Sequence, residues 1–232
     1  VNGSGKHNNW SMSTNTGENL LSPGKKPEEN IQFLLFLTAI IKAVDEYQDL
    51  LRVSVATAGN DNRLGGHEAP PAIVSMFLGD DLEEILNCYE TGTEYVPMAR
   101  QRMETGVAAV PSFRKDTSDR NRTSPFAFTG NKFEFRMLGS ASSISDTNVV
   151  MNTIAADAIG WIADQLEGAE DVEAKAKEII REIATKHKRI IFNGNNYSDE
   201  WVQEAERRGL LNLTNTADAI PHLVDEKNIA LF

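Results

Sequence analysis

The sequence predicts an α+β fold, and three stretches of the chain carry the prediction. Residues 131–137 alternate between apolar and polar or charged side chains, as a β-strand does when one of its faces is buried. Residues 28–51 place apolar side chains on more than one stripe, which is typical of a helix inside a core. Residues 146–232 show mainly helical patterns. We therefore expect a sheet-containing region over residues 1–145 and a helical region over the remainder.

Composition narrows the class of protein. The 232 residues are enough for a substantial core and for one or two domains. The formal net charge of −11 argues against a nucleic-acid-binding protein, which would present a basic face. Cys88 is the only cysteine, so an internal disulfide is impossible and a reducing compartment such as the cytoplasm is expected. The longest apolar run, residues 31–41, is too short to span a bilayer, so we expect no membrane partner.

The charged face of the strand is the first candidate site. It presents Glu134 between Lys132 and Arg136, and Arg120 and Arg122 add cations just upstream in an otherwise acidic chain. Arginines gathered around a carboxylate are what a site for phosphate and a metal ion requires. The alternative is an ordinary ladder of salt bridges that faces water.

Two glycine-containing loops carry further candidates. Residues 2–11 begin Asn-Gly-Ser-Gly-Lys-His, and glycines leave backbone N–H groups accessible to anions, although such a pair is more often only a turn. His7 in this loop is either a metal ligand or a surface histidine. Residues 59–71 place Arg63 and Glu68 among glycines, the composition of a catalytic lid, although exposed loops also hold charges routinely.

Other elements are predicted from periodicity and from end signals. The acidic run at residues 80–84 is more typical of favourable charge at a helix start than of a metal site. The patterns predict a short strand over 52–56, a helix starting near 80, a helix over 98–103, a helix over 146–166, a second over 171–188, a helix capped by Ser198 that ends near Gly209, and a last short helix with an apolar tail over 216–232.

Four motifs occur in an order that resembles the glutamine synthetases, most closely the bacterial type III class. They are Asn-Gly-Ser-Gly-Lys-His at residues 2–7, Arg-Leu-Gly-Gly-His-Glu-Ala-Pro at 63–70, Arg-Asn-Arg-Thr at 120–123 and Glu-Phe-Arg at 134–136. In the family these correspond to a glycine-rich motif, a flap, an arginine loop and a strand. The stretches 121–136 and 189–197 are particularly similar to the type III class.

The resemblance implies both a fold and an activity. The fold would be a curved antiparallel catalytic sheet with packed helices, of the glutamine synthetase and guanidino kinase type, followed by a helical C-terminal extension. The activity would be the ATP-dependent joining of ammonia to L-glutamate through γ-glutamyl phosphate, with Mg²⁺ or Mn²⁺. It would serve nitrogen metabolism in homo-oligomeric rings.

The resemblance also implies roles for single residues by motif position. It places metal ligands at His7 and Glu134; catalytic roles at Glu68 in the flap and at Arg122 beside the transferring phosphoryl group; glutamate contacts at Asn2, Gly3, Arg63 and Arg136; and nucleotide contacts at Asn9, Ser11 and Lys132.

Two further expectations concern the extent and the activity of the chain. Because it opens with Val1 directly before a motif, we expect a fragment that is inactive alone, since the family's paired metal-binding glutamates and a neighbouring subunit's aspartate would lie in preceding sequence. The alternatives are a related ligase that joins glutamate to another amine and a non-catalytic regulatory homologue. The retained charged residues argue against the second alternative, because buried charges without a function are costly.

Overall fold

A computed structural model of the chain describes residues 5–66, 69–97, 102–103, 113–114 and 122–232. Its strands and helices are, in chain order, β1 Gly5–Trp10, α1 Ile31–Glu46, α2 Gln48–Val53, α3 Ala58–Asp61, β2 Met76–Phe77, α4 Asp80–Thr91, β3 Arg102–Met103, β4 Phe113–Arg114, β5 Phe126–Phe128, β6 Phe133–Gly139, α5 Ser145–Leu166, α6 Val172–His187, α7 Asp199–Arg207, α8 Thr216–Ala219 and α9 Glu226–Leu231. Short 3₁₀ turns lie at Pro27–Glu29, Lys188–Ile190 and Ile220–Val224.

Within the described residues, the main sheet has four strands in the order β1-β6-β5-β2. Strand β6 is antiparallel to β1 and to β5, whereas β2 runs parallel to β5. The sheet is therefore mixed, and the expectation of a wholly antiparallel sheet is wrong at its β2 edge. Parallel neighbours need a long crossover connection, and here α4 lies in the segment that joins β2 to β5. Strands β3 and β4 form a separate antiparallel pair.

The alternation that predicts β6 is confirmed. Phe133, Phe135 and Met137 are at most 1% exposed, while Glu134 and Arg136 lie on the other face and are partly exposed. The buried side chains form an aromatic cluster with Phe126, whose ring centroid is 5.1 Å from that of Phe133. Burying one such ring stabilises the fold by roughly 2–3 kcal/mol.

Helix α1 is the centre of the core. It begins after Asn30, whose side chain accepts a hydrogen bond from the backbone N–H of Phe33 at 3.0 Å. Its buried residues pack in one cluster with those of α5, α6 and the sheet. The single helix predicted over residues 28–51 is in fact the 3₁₀ turn Pro27–Glu29 followed by α1 and α2, which meet at Tyr47.

Two predicted elements are wrong. Arg52 and Val53 belong to helix α2 rather than to a strand. The Arg52 side chain is 1% exposed and donates hydrogen bonds to the carbonyl of Leu213 and the carboxylate of Asp61, and these tertiary contacts hold it in the helix. Arg102 and Met103 pair with β4 and are not helical. The rest of the helix predicted over 98–103 lies outside the described residues.

The helices predicted over 146–166 and 171–188 are confirmed as α5 and α6. The oxygen of Ser198 accepts from the N–H of Trp201 and caps α7, as predicted, and Gly209 follows with a φ of +70°. The last segment forms α8, a 3₁₀ turn and α9 rather than one helix. Among the described residues, none of the helices has the length and apolar character that crossing a membrane requires.

Candidate active site

An imidazole, a carboxylate and a guanidinium meet on the partly exposed face of the sheet. The Nδ1 atom of His7 lies 3.4 Å from Oε2 of Glu134, and Nη2 of Arg136 lies 3.0 Å from the same oxygen. The His7 side chain is 61% exposed and that of Glu134 is 18% exposed, so the group borders solvent. Asn9 is also exposed and lies opposite Glu134 in the β1–β6 ladder.

A β-bulge between β1 and β6 brings these side chains together. Lys6 pairs with Leu138 and Asn8 with Phe135, so the single residue His7 faces both Arg136 and Met137. A bulge interrupts the ladder and re-aims the neighbouring side chains, and bulges are frequent beside active sites.

The carbonyl groups at the bulge are satisfied by two side chains from the segment after α2. The carbonyl of Met137 accepts from Nδ2 of Asn60 at 2.8 Å and from Nη2 of Arg63 at 2.7 Å. The same Nη2 also donates to the carbonyl of Leu138 at 3.0 Å. A bulge interrupts the hydrogen bonds of the ladder, and buried carbonyls need donors. Asn60 and Arg63 supply these donors and so stabilise the bulge.

Arg63 is therefore held deep at the end of the sheet. Its side chain donates through Nε to Oδ1 of Asn60 at 2.8 Å, and burial lowers the pKa of Arg63 from its ordinary value. A Cβ placed on Gly5 would lie only 2.7 Å from Nη1 of Arg63, so this close approach of β1 favours glycine. The sequence indicated that Arg63 belongs to the charged tip of a loop. In the structure it is only 5% exposed, and its guanidinium donates to backbone carbonyls of β6.

The donor atoms of His7 and Glu134 fit a shared divalent cation. An octahedral Mg²⁺ with ligands at about 2.0–2.1 Å places neighbouring ligand atoms roughly 3 Å apart. The observed 3.4 Å between Nδ1 and Oε2 is close to that separation. A neutral imidazole with carboxylate oxygens also suits Mn²⁺.

The segment that carries Arg122 lies next to this face. Arg122 itself is exposed, and the hydroxyl of Thr123 accepts from the backbone N–H of Asn196 at 3.1 Å. The carbonyls of Ser124 and Pro125 accept from Nη1 and from the backbone N–H of Arg136, at 3.4 and 2.8 Å. Arg136 thus connects the arginine segment to Glu134.

Two of the predicted nucleotide contacts, Ser11 and Lys132, lie just beyond the Trp10–Phe133 end of the β1–β6 pair. Ser11 follows β1, and its hydroxyl donates to the carbonyl of Asn131 at 2.9 Å. Lys132 follows Asn131 and immediately precedes β6. Asn9, the third predicted contact, lies within the pair, opposite Glu134 and two residues before Ser11. The predicted site residues Asn2, Gly3 and Glu68 lie outside the described residues.

The structure contains a second cluster that sequence reasoning did not find. One ligand atom each of Asp49, His222 and Asp225 lies within 4.8 Å of the others. Oδ2 of Asp49 already contacts Nζ of Lys227 at 2.9 Å and Nδ2 of Asn228 at 3.0 Å. The cluster therefore anchors the last helices on α2. Only the fold brings these residues together, so no local pattern could have indicated it.

Comparison with known proteins gives a consistent result. Residues 175–232 match the family model of the glutamine synthetase C-terminal domain. Along its whole length the chain is 48% identical to the type-3 glutamine synthetase of Dictyostelium discoideum, of which it covers 32%. It is 49% identical to a glutamine synthetase of Butyrivibrio fibrisolvens and 44% identical to one of Bacteroides fragilis (strain YCH46), again over the whole chain and 33% of each relative. The chain spans about a third of the length of these curated relatives.

Proposed function

We propose, since the chain belongs to the glutamine synthetase family, that it takes part in the ATP-dependent joining of ammonia to L-glutamate. The observation that carries the proposal is the meeting of His7, Glu134 and Arg136, which belong to two of the family-like motifs, at one oxygen of Glu134. Residues 1–145 would supply part of the catalytic domain, and residues 146–232 a helical region. The protein would act in the cytoplasm as homo-oligomeric rings.

The reaction has two steps. An oxygen of the γ-carboxylate of glutamate attacks the γ-phosphorus of ATP, the bond to the bridging oxygen breaks and ADP leaves. Ammonia then attacks the γ-carbonyl carbon, phosphate leaves with its electron pair, and the nitrogen loses a proton. The first step brings several negative oxygens together, so positive charge must offset their repulsion.

His7 and Glu134 would hold a Mg²⁺ or Mn²⁺ ion through Nδ1 and Oε2. Such an ion supplies positive charge next to the phosphate oxygens. Arg136 would keep Glu134 oriented through its Nη2 atom at 3.0 Å, and its guanidinium would also pair a carboxylate of glutamate.

Two further arginines would bind the remaining negatively charged groups of the substrates. Arg122 projects from an exposed position and would bind the transferring phosphoryl group. Arg63 would pair a glutamate carboxylate through Nη1, because Nε and Nη2 are engaged with Asn60 and with β6. The backbone of Asn2 and Gly3 would complete the glutamate site.

The remaining groups would bind nucleotide and exclude water. Asn9, beside Glu134, would contact ATP together with Ser11 and Lys132 at the adjoining end of the β1–β6 pair. Glu68 would close over the acyl phosphate and take the proton from ammonium. An acyl phosphate is sensitive to water, so a lid of this kind is mechanistically required.

The test is an assay of the full-length protein with ATP, glutamate and either ammonia or methylamine. We expect ADP release that depends on glutamate and yields glutamine with ammonia. Preferential product formation with methylamine would favour the related glutamate–amine ligase. Absence of glutamate-dependent ADP release would favour a non-catalytic homologue and would overturn the proposal.

A further inference from the structure

The loop of residues 193–196 connects the C-terminal region to the segment that carries Arg122. Oδ1 of Asn193 accepts from the backbone N–H groups of Leu78 and Gly79 at 3.0 and 2.9 Å. Oδ1 of Asn196 accepts from the hydroxyl of Ser75 at 2.7 Å. Asn196 is 1% exposed and Ser75 is fully buried, so the loop is fixed from within the core.

This fixed loop donates to the arginine segment through Asn196. The backbone N–H and Nδ2 of Asn196 lie 3.1 and 3.5 Å from the hydroxyl oxygen of Thr123. On the other side of Thr123, Ser124 is 1% exposed and its carbonyl accepts from Arg136. Thr123 is therefore held between the core and the strand that carries Glu134, while the neighbouring Arg122 remains exposed.

We propose that Thr123 is a positioning residue that acts through Arg122, with the Asn196 loop as its anchor. The inference rests on the proposed role of Arg122 at the transferring phosphoryl group. A hydrogen bond to Thr123 fixes the backbone from which the Arg122 side chain projects. The guanidinium then reaches the phosphoryl oxygens without a prior rearrangement of the segment, which favours the transition state over the bound substrates.

The first experiment replaces the hydroxyl acceptor in the full-length protein. Thr123→Val keeps the size and the β-branched shape of the side chain but cannot accept from Asn196. A displacement of about 1 Å at a catalytic group can cost about 100-fold in rate, so we expect kcat to fall by roughly 10-fold or more. The KM for glutamate should stay within about twofold, because ground-state binding is not the step affected.

Two variants control for a merely structural effect. Thr123→Ser keeps the hydroxyl, and we expect kcat within about twofold of wild type. Thr147→Val removes another buried hydroxyl, which lies 3.3 Å from that of Ser54 and outside the proposed site. That variant should leave kcat unchanged.

A double-mutant cycle with Arg122→Ala tests whether Thr123 acts through Arg122. In the Arg122→Ala background, Thr123→Val should change kcat by less than about twofold, because the group that it positions is already absent. Equal losses in both backgrounds would overturn the proposal, as would a wild-type kcat for Thr123→Val.

If Thr123→Val does not fold, Ser75→Ala decides the question. It removes the core anchor of Asn196 and leaves Thr123 intact, so it should lower kcat in the wild-type background and not in Arg122→Ala. These outcomes are distinct from failure of the proposed function, in which the wild-type protein itself forms no glutamine.

Discussion

The side chains of His7 and Arg136 both contact the same carboxylate oxygen of Glu134. Nδ1 of His7 and Nη2 of Arg136 lie 3.4 and 3.0 Å from Oε2, and the side chain is largely buried. The position of His7 allows it to share a cation with Glu134, and Arg136 fixes the orientation of the carboxylate. Both contributions depend on the negative charge of Glu134, which makes this residue the most direct test of the metal assignment.

Glu134→Gln retains the size of the side chain and removes its charge. We expect the affinity of the full-length protein for Mn²⁺ to fall at least about tenfold, since the loss of supporting groups alone typically costs 10- to 100-fold. Titration with Mn²⁺, followed by electron paramagnetic resonance, measures the affinity directly. Glu178→Gln on helix α6 is the matched control, and equal affinity in the two variants would contradict the assignment.

Glu68 allows a separate test of the lid. If it takes a proton from ammonium and helps to exclude water, Glu68→Ala should still form the acyl phosphate. Water should then compete with ammonia, so less glutamine should form for each ADP released. Comparison of the glutamine-to-ADP ratio with that of wild type measures this uncoupling. Equal loss of both products would show that Glu68 serves binding or folding instead.

The sequence predicted which residue types would meet, but it did not predict how they are supported. His7 and Glu134 have side chains that can bind a metal ion, and both lie in motifs that can be identified in the sequence. The role of Arg63 as a backbone brace depends on the bulge opposite His7, and strand register is fixed only when two distant segments pair. The brace was therefore not predictable from the residues around Arg63.

Among the elements, α2 and α3 form the junction between the last segment of the chain and the sheet. Arg52 on α2 donates to the carbonyl of Leu213 and, through Nη2, to Oδ1 of Asp61 at 2.7 Å. Oδ2 of Asp61 accepts from the backbone N–H of Thr216, also at 2.7 Å. These long-range contacts explain why residues 52–56, which alternate briefly in sequence, do not form a strand: tertiary contacts override a short local pattern.

The junction predicts a specific dependence on pH. Burial raises the pKa of Asp61, but hydrogen bonds from Arg52 and Thr216 outweigh it, so the pKa lies below the ordinary 3.8. A carboxylate with a lowered pKa stabilises the fold above its unfolded-state pKa, and this contribution is lost as the pH falls through the folded-state value. We expect Asp61→Asn to lower the free energy of unfolding by about 1.5–3 kcal/mol at neutral pH.

The difference between wild type and Asp61→Asn should shrink progressively below about pH 4, because the carboxylate of the unfolded chain takes up its proton there before that of the folded chain does. Urea unfolding at neutral pH and at several acidic values measures it. Asp164→Asn, an exposed position on α5, should show a small difference at every pH. A constant deficit for Asp61→Asn across this range would mean that the carboxylate charge is not what holds the junction.

In the molecule as a whole, the helical C-terminal region and the sheet share one core. Helix α1 packs against α5 and α6, and Nδ2 of Asn8 on β1 donates to Oδ1 of Asn148 on α5 at 2.8 Å. The sequence predicted α5 and α6 because their apolar spacing is regular. It did not predict the parallel placement of β2, since two residues carry too little pattern to specify a neighbour.

The composition of the site predicts that these 232 residues alone form no glutamine. The described residues near the sheet face offer His7 and Glu134 to a cation, whereas a divalent ion in a phosphoryl-transfer site needs further ligands. The purified chain should therefore release no ADP above background in the presence of glutamate and ammonia. Glutamine formation by this chain alone would show that its own residues complete the site.

The bulge opposite His7 also limits how this part of the chain can change length. Loss of Met137 from β6 would make the ladder with β1 regular and leave Leu138 and Gly139 opposite Lys6 and Gly5, but it would remove the carbonyl that accepts from both Asn60 and Arg63. Arg63 would then be a buried guanidinium with one carbonyl acceptor fewer, which is costly. We therefore expect such a deletion to lower stability unless the residue at position 63 changes with it, so the length of β6 and the identity of residue 63 are expected to change together.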